Sequence, residues 1–250
     1  MGFGLGSRRI SPSTRTARLL PALAVLALGL SSVAAQAGSA LSRFADEDLA
    51  RGFLSTVFGS ELSSAGGHIV KKFDGPIRFE VVNRSVLDNS HDVTRFIRKL
   101  PRMVGGIDAR LAAPGEQANF KVVVVDPGSY VQQVRAEGVF GGFQPVQGRC
   151  GVKVSFTRGA IRQATAVVVA GDAFQRCVVE EILQGLGPIN DDPRLAHSVF
   201  NDRSRHRKLM PFDRAIVAML YDPRVEHGMT KAEAMALMPD LIARARQVVR

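Results

Sequence analysis

Cysteine is scarce: Cys150 and Cys177 are the only two in 250 residues. A disulfide-dense scaffold is therefore excluded. Long apolar runs are also lacking, which excludes a polytopic membrane protein. Charged residues make up 22% of the chain, too balanced a share for global disorder. No serine sits in a nucleophile elbow, and no glycine-rich loop of the phosphate-cradling kind occurs. Neither repeats nor low-complexity linkers follow residue 40. What remains is a chain that is 46% hydrophobic, enough for a sizeable core. It carries 33 Lys and Arg against 23 Asp and Glu, a formal charge of +10. Such a charge points first to nucleic acid or anionic lipid.

The first 37 residues change the meaning of that charge. Arg8, Arg9, Arg15 and Arg18 form a basic region with no acid. An apolar run from Leu19 to Leu30 follows, too short to span a bilayer comfortably, and small residues end in Ala35-Gln36-Ala37. This order is that of a secretory signal peptide cut after Ala37. No cysteine follows the apolar run, so a lipid anchor has no acceptor. Ser7-Arg8-Arg9-Ile10 could open a twin-arginine signal, but Ser11 and Pro12 replace the apolar pair such signals carry. Cleavage leaves 29 basic and 23 acidic groups, a net of +6. Arg outnumbers Lys 26 to 7, a bias that fits a solvated surface better than a nucleic-acid role. The expectation is a periplasmic or secreted protein with no nucleic-acid partner and no stable membrane span. Export also gives the cysteines an oxidising compartment, which favours a Cys150–Cys177 bridge over two buried thiols. By loop-closure entropy, closing about 28 residues contributes about 3.5 kcal/mol.

Periodicity then divides residues 38–250, read as a single domain. Apolar spacing predicts a helix over 43–58, broken at Ser63 to Gly67, and another over 88–103 that ends near Pro101 or Gly105-Gly106. Strands are expected at 77–82, 107–112, 120–125, 151–156 and 161–170, the last two as a hairpin turning at Arg158-Gly159. Asp126-Pro127-Gly128 reads as a turn. Asp172 with Gln175 predicts a capping box opening a helix that runs to Leu186, with Gly187 and Pro188 ending it. Residues 188–210 read as loop. Pro211 opens a helix to Tyr221, and Thr230 with Glu233 forms a capping box before a final helix re-nucleated at Pro239. The fold class is α+β: a mixed twisted sheet, one motif-bearing helix, and a mostly helical C-terminal part.

The chemistry concentrates at residues 180–191. Glu180, Gln184 and Gly187 share one stripe of a helix at 100° per residue, with Glu181 beside them. Phe174, Val178, Ile182 and Leu186 fill much of the other side. Gly187 lets the chain reverse, so Asn190 and Asp191 can return toward the stripe. Side chains at i and i+4 converging on one point are the geometry of a metal site.

This segment, E-E-x-x-Q-x-x-G-x-x-N-D, resembles the H-E-x-x-H-x-x-G-x-x-H-D motif of metzincin-type zinc peptidases. Glu181 matches the general base, Gly187 the turn glycine and Asp191 the final acid. The three ligand positions hold Glu180, Gln184 and Asn190, and all three histidines are missing. The resemblance spans residues 75–225. It includes the strand, helix and strands before the motif, Ser198-Val199-Phe200 in place of a Ser-x-Met turn, and Leu209 to Asp213 leading to Leu220-Tyr221. The chain also resembles an uncharacterised family of exported bacterial proteins with this degenerate motif.

The resemblance implies a zincin-like fold, and the substitutions alter its chemistry. Zinc prefers nitrogen and sulfur, whereas Glu180, Gln184 and Asn190 offer oxygens that suit a hard divalent cation such as calcium, magnesium or manganese. Three readings compete. The site is dead and the domain binds a peptide or cell-envelope polymer; or Glu181 acts as base with Asp191, with a hard cation or none; or the spacing is accidental. Glu180 and Glu181 diverge by 100° on the helix, so Glu181 with Asp191 is the favoured carboxyl couple. His197, His206 and His227 could rebuild a zinc site but read better as surface residues. Arg203-Ser204-Arg205-His206-Arg207-Lys208 is a basic cluster without interleaved aromatics, best read as a solvated loop. The expected function is a non-peptidase binding or scaffolding role in the envelope, with a hydrolase as the alternative.

Overall fold

The run Phe120–Val125 is β-branched and buried almost throughout, the pattern of a strand covered on both faces. The computed structural model describes residues 40–58, 68–139 and 149–249, and places this strand centrally. The expected signal peptide, residues 1–37, and the expected break at 63–67 lie outside the described residues. The elements are α1 (Asp46–Phe58), β1 (Lys72–Phe73), β2 (Ile77–Asn83), α2 (Ser90–Val104), β3 (Ala109–Leu111), β4 (Phe120–Val125), α3 (Tyr130–Ala136), β5 (Cys150–Thr157), β6 (Ala160–Val169), α4 (Phe174–Gly185), α5 (Pro211–Leu220), α6 (Lys231–Ala236) and α7 (Met238–Val248). The α+β class expected from the sequence is what the structure has.

The sheet order is β1-β6-β4-β2-β3, all parallel, and β5 adds antiparallel to the remaining edge of β6. Alternation along β4 and β6 sends successive side chains to opposite faces. Val122, Val124, Ala166 and Val168 join the main core with α1, α2, α4, α5 and α7. Val123, Val125, Val167 and Val169 form a second cluster with Tyr130 and Val134 of α3. That short helix is absent from the sequence reading, which stopped at the Asp126-Pro127-Gly128 turn. The two-residue β1 is absent from it too. The β5–β6 hairpin turns at Arg158 and Gly159, both at positive φ, as expected.

Helix boundaries follow local chemistry with one correction. Thr230 accepts from Glu233 N–H while Glu233 accepts from Thr230 N–H at 2.7 Å, so the expected capping box forms. Pro239 lies in the first turn of α7. Asp172, however, does not cap α4: the helix starts at Phe174 with Ala173 at its N-cap and no side-chain cap. Gln175 is thereby exposed rather than turned back on the chain. Pro101 sits within α2, and the helix continues to Val104 before Gly105 ends it. No helix among the described residues is long and apolar enough to cross a membrane.

Candidate functional site

α4 lies against β5 and β6 and is buried at all but two of its twelve positions. Two features press it onto the sheet. Gly185 faces the Phe120 ring so closely that a Cβ there would collide with it. Cys177 is bonded to Cys150, fastening the helix to the edge strand β5. Both cysteines are thus accounted for by the expected bridge.

The polar stripe enters this packed environment. Glu180 and Glu181 are each only 5% exposed. Arg176, one turn earlier, reaches Glu180 at 3.1 Å and also donates to the Asp202 carbonyl at 2.6 Å. Burial pushes the Glu180 carboxyl up to about 7, against the pull of Arg176. Burial raises Glu181 well above the carboxylate range, and the charges of Glu180 and then Asp191 raise it further. Oxygens of the two glutamates lie within 4.8 Å of each other and of the Cys150 sulfur. Adjacent helix positions diverge, but two long side chains confined under one strand converge again. Glu180 therefore weighs more on Glu181 than Asp191 does, where the sequence favoured Asp191. Such a pair can share a proton, one member neutral and one charged.

A residue the sequence reading missed completes the environment. The Tyr130 hydroxyl, from α3, is buried without a hydrogen-bond partner among the described residues, as is Glu181 Oε2. Burial, then the charge of Glu181, raises the Tyr130 pKa. Only the i, i+4 spacing of Tyr130 and Val134 signalled this helix.

The remaining motif positions are held from within. Gln184 donates its amide to Asp191 Oδ1 at 2.9 Å, so the loop does fold back toward the stripe. Asn190 donates both its backbone N–H, at 3.1 Å, and its side-chain amide, at 2.9 Å, to the Thr56 carbonyl. That carbonyl belongs to the last turn of α1, where intrahelical partners run out. Gly187, at φ 132°, makes the reversal, and a Cβ there would collide with the Lys71 carbonyl oxygen.

The downstream segments fix the loop before α5 and the end of α4. Ser198 Oγ donates to the buried Asp213 at 2.6 Å, and the N–H groups of Val199 and Met210 also donate to it, at 3.2 and 3.0 Å. Burial moves Asp213 up to about 6 against those bonds. Tyr221 donates to the Leu186 carbonyl at 2.9 Å, at the end of α4. The three loop histidines are not brought together. His197 packs on Phe44, His206 contacts the Ala196 carbonyl, and His227 contacts the Arg158 carbonyl. No histidine joins the Cys150–Glu180–Glu181 group.

These features define an α+β protein whose edge strand is clamped by a disulfide to a helix carrying a buried carboxyl pair. The chain belongs to the family described as Protein of unknown function (DUF2927), whose model matches residues 46–240. No curated protein and no solved structure matches the chain.

Proposed function

We propose that the protein is an exported binding module of zincin-like fold, which recognises an extended peptide or envelope polymer without cutting it. The observation that carries this reading is the fate of the three ligand positions. Glu180 pairs with Arg176, while Gln184 and Asn190 give their amides to Asp191 and Thr56. Side chains committed to internal partners hold a turn rather than converge on an ion. The donor set does not fit zinc either: it offers no imidazole, and its one sulfur is in a disulfide. The order of a strand, a helix and further strands before α4 agrees with the zincin resemblance.

The recognition surface is the outer edge of β5, opposite β6. Among the described residues β5 pairs only with β6, and its burial falls away toward Thr157. An edge strand offers a row of N–H and C=O groups to which an extended chain can add as a further strand. The test is binding of casein-derived peptides. A peptide that binds uncut, and whose backbone N-methylated form does not bind, fits the proposal. Cleavage of casein, abolished by Glu181→Gln, would replace it with the second reading.

That second reading is a hydrolase, favoured specifically by the Glu180–Glu181 pair. With Glu180 titrating near neutrality beside a carboxyl held neutral by burial, the pair has the form of an acid/base couple. It would work either without metal or with a hard cation on the two carboxylates.

A further inference from the structure

A cavity of about 430 Å³ lies between α2, α4 and the segment before α5. That volume falls in the range of small-molecule sites. It is not the polar stripe. At 100° per residue, the α4 residues that line it, Phe174 to Val179 at 174, 175, 178 and 179, lie on the face away from Glu180 and Gln184. Its floor is apolar: Phe96 and Met103 from α2, Val178 from α4, and Leu209. Its rim is basic. Arg95, Lys99, Arg207, Lys208 and Arg214 line it, with Asp92 as the single acid. Asp92 is already paired with Arg95 at 3.1 Å. Lys99, Arg207 and Lys208 are exposed and have no acidic partner among the described residues. The basic cluster 203–208, which reads from the sequence as a solvated loop, thus lends two of its cations to a cavity with an apolar floor.

We propose that this cavity binds an anionic amphiphile, a single acyl chain with a carboxylate or phosphate head. The occupant follows from charge complementarity and from the floor together. A free inorganic anion would leave Phe96, Met103 and Leu209 unused. A nucleic acid would want stacking aromatics along an extended basic track, which the rim lacks. An acyl chain over the floor with its head between Lys99 and Lys208 uses both halves of the site, and the unpaired cations give it orientation.

Calorimetric titration of the purified protein tests this with decanoate, decyl phosphate, decanol, decyltrimethylammonium and inorganic phosphate. The proposal expects the two anionic amphiphiles to bind about tenfold or more tighter than decanol, since a charge-assisted hydrogen bond is worth at least that factor. Which of the two binds tighter assigns the head group. The double substitution Lys99→Gln with Lys208→Gln, at exposed positions, should weaken decanoate about tenfold while leaving decanol unchanged. Met103→Trp should crowd the apolar floor and weaken both decanoate and decanol. Decyltrimethylammonium binding as tightly as decanoate would overturn the proposal. So would inorganic phosphate matching decyl phosphate, or decanoate binding untouched in the lysine double variant.

Discussion

Replacing Glu180 by Gln should flatten the dependence of folding stability on pH. In the folded chain burial lifts this carboxyl from its ordinary 4.5 to about 7, even with Arg176 beside it. Between those values the folded protein keeps a proton that the unfolded chain has released. Stability therefore falls as pH rises: the contribution is fully present below 4.5 and gone once the pH passes about 7. The change amounts to about 3 kcal/mol, at 1.36 kcal/mol per decade of proton affinity. The Gln side chain cannot titrate, so it removes that decline. Urea unfolding at about pH 4 and about pH 8 measures it, with the wild type losing about 3 kcal/mol more than Glu180→Gln between the two. Glu181→Gln should also flatten the decline, because burial raises that carboxyl too and the two titrate as a pair. An equal decline in wild type and Glu180→Gln, or a wild type that gains stability across the interval, would refute the buried-pair geometry.

Three further perturbations probe the scaffold around that pair. Cys177→Ser should cost about 3.5 kcal/mol by reopening the loop between β5 and α4, read as a lower denaturation midpoint. Gly187→Ala places a side chain at φ 132° against the Lys71 carbonyl; backbone strain alone costs about 1–3 kcal/mol, read as a fall in melting temperature. Ser198→Ala removes the hydroxyl donor to Asp213, which should raise that carboxyl above about 6 and cost about 1–3 kcal/mol. The loss should be larger at neutral than at acid pH, because only the ionised carboxylate needs the donor. Carbon-detected NMR titration reads the pKa directly.

Much of the architecture is legible because local and global preferences coincide. The buried run Phe120–Val125 gives the central strand, the Arg158-Gly159 turn gives the hairpin, and Thr230 with Glu233 opens α6 as a capping box. Proline helps where it matches a first turn, at Pro211 and Pro239. Failures fall where tertiary contact decides. β1 is two residues held by pairing with β6 and by the Tyr221 hydroxyl, which accepts from Phe73 N–H at 3.3 Å. α3 is seven residues that could not stand alone, and Val123, Val125, Val167 and Val169 supply its support. Asp172 has the composition of a cap, yet the chain enters α4 one residue later.

The site was legible as a segment and not as a geometry. The spacing of Glu180, Gln184, Gly187 and Asn190 located the turn, and Gln184 to Asp191 shows the loop folding back. At 100° per residue, Glu180 and Glu181 leave the helix axis in different directions, like spokes. Confinement under β5 bends both toward the same sulfur. The role of Tyr130 depends on a helix whose only sequence signal is the i, i+4 spacing of Tyr130 and Val134. Ser198, Asp213 and Tyr221 drew attention by resemblance; their hydrogen bonds show Tyr221 bracing the end of α4 and Ser198 with Asp213 holding the loop before α5.

The central claim is that the helix stripe keeps a peptidase's spacing while its side chains serve internal partners. Elemental analysis of the purified protein tests this most directly. The account predicts no stoichiometric zinc, and no uptake on dialysis against it. One zinc per chain, lost when Glu180 is replaced by Ala, would contradict it.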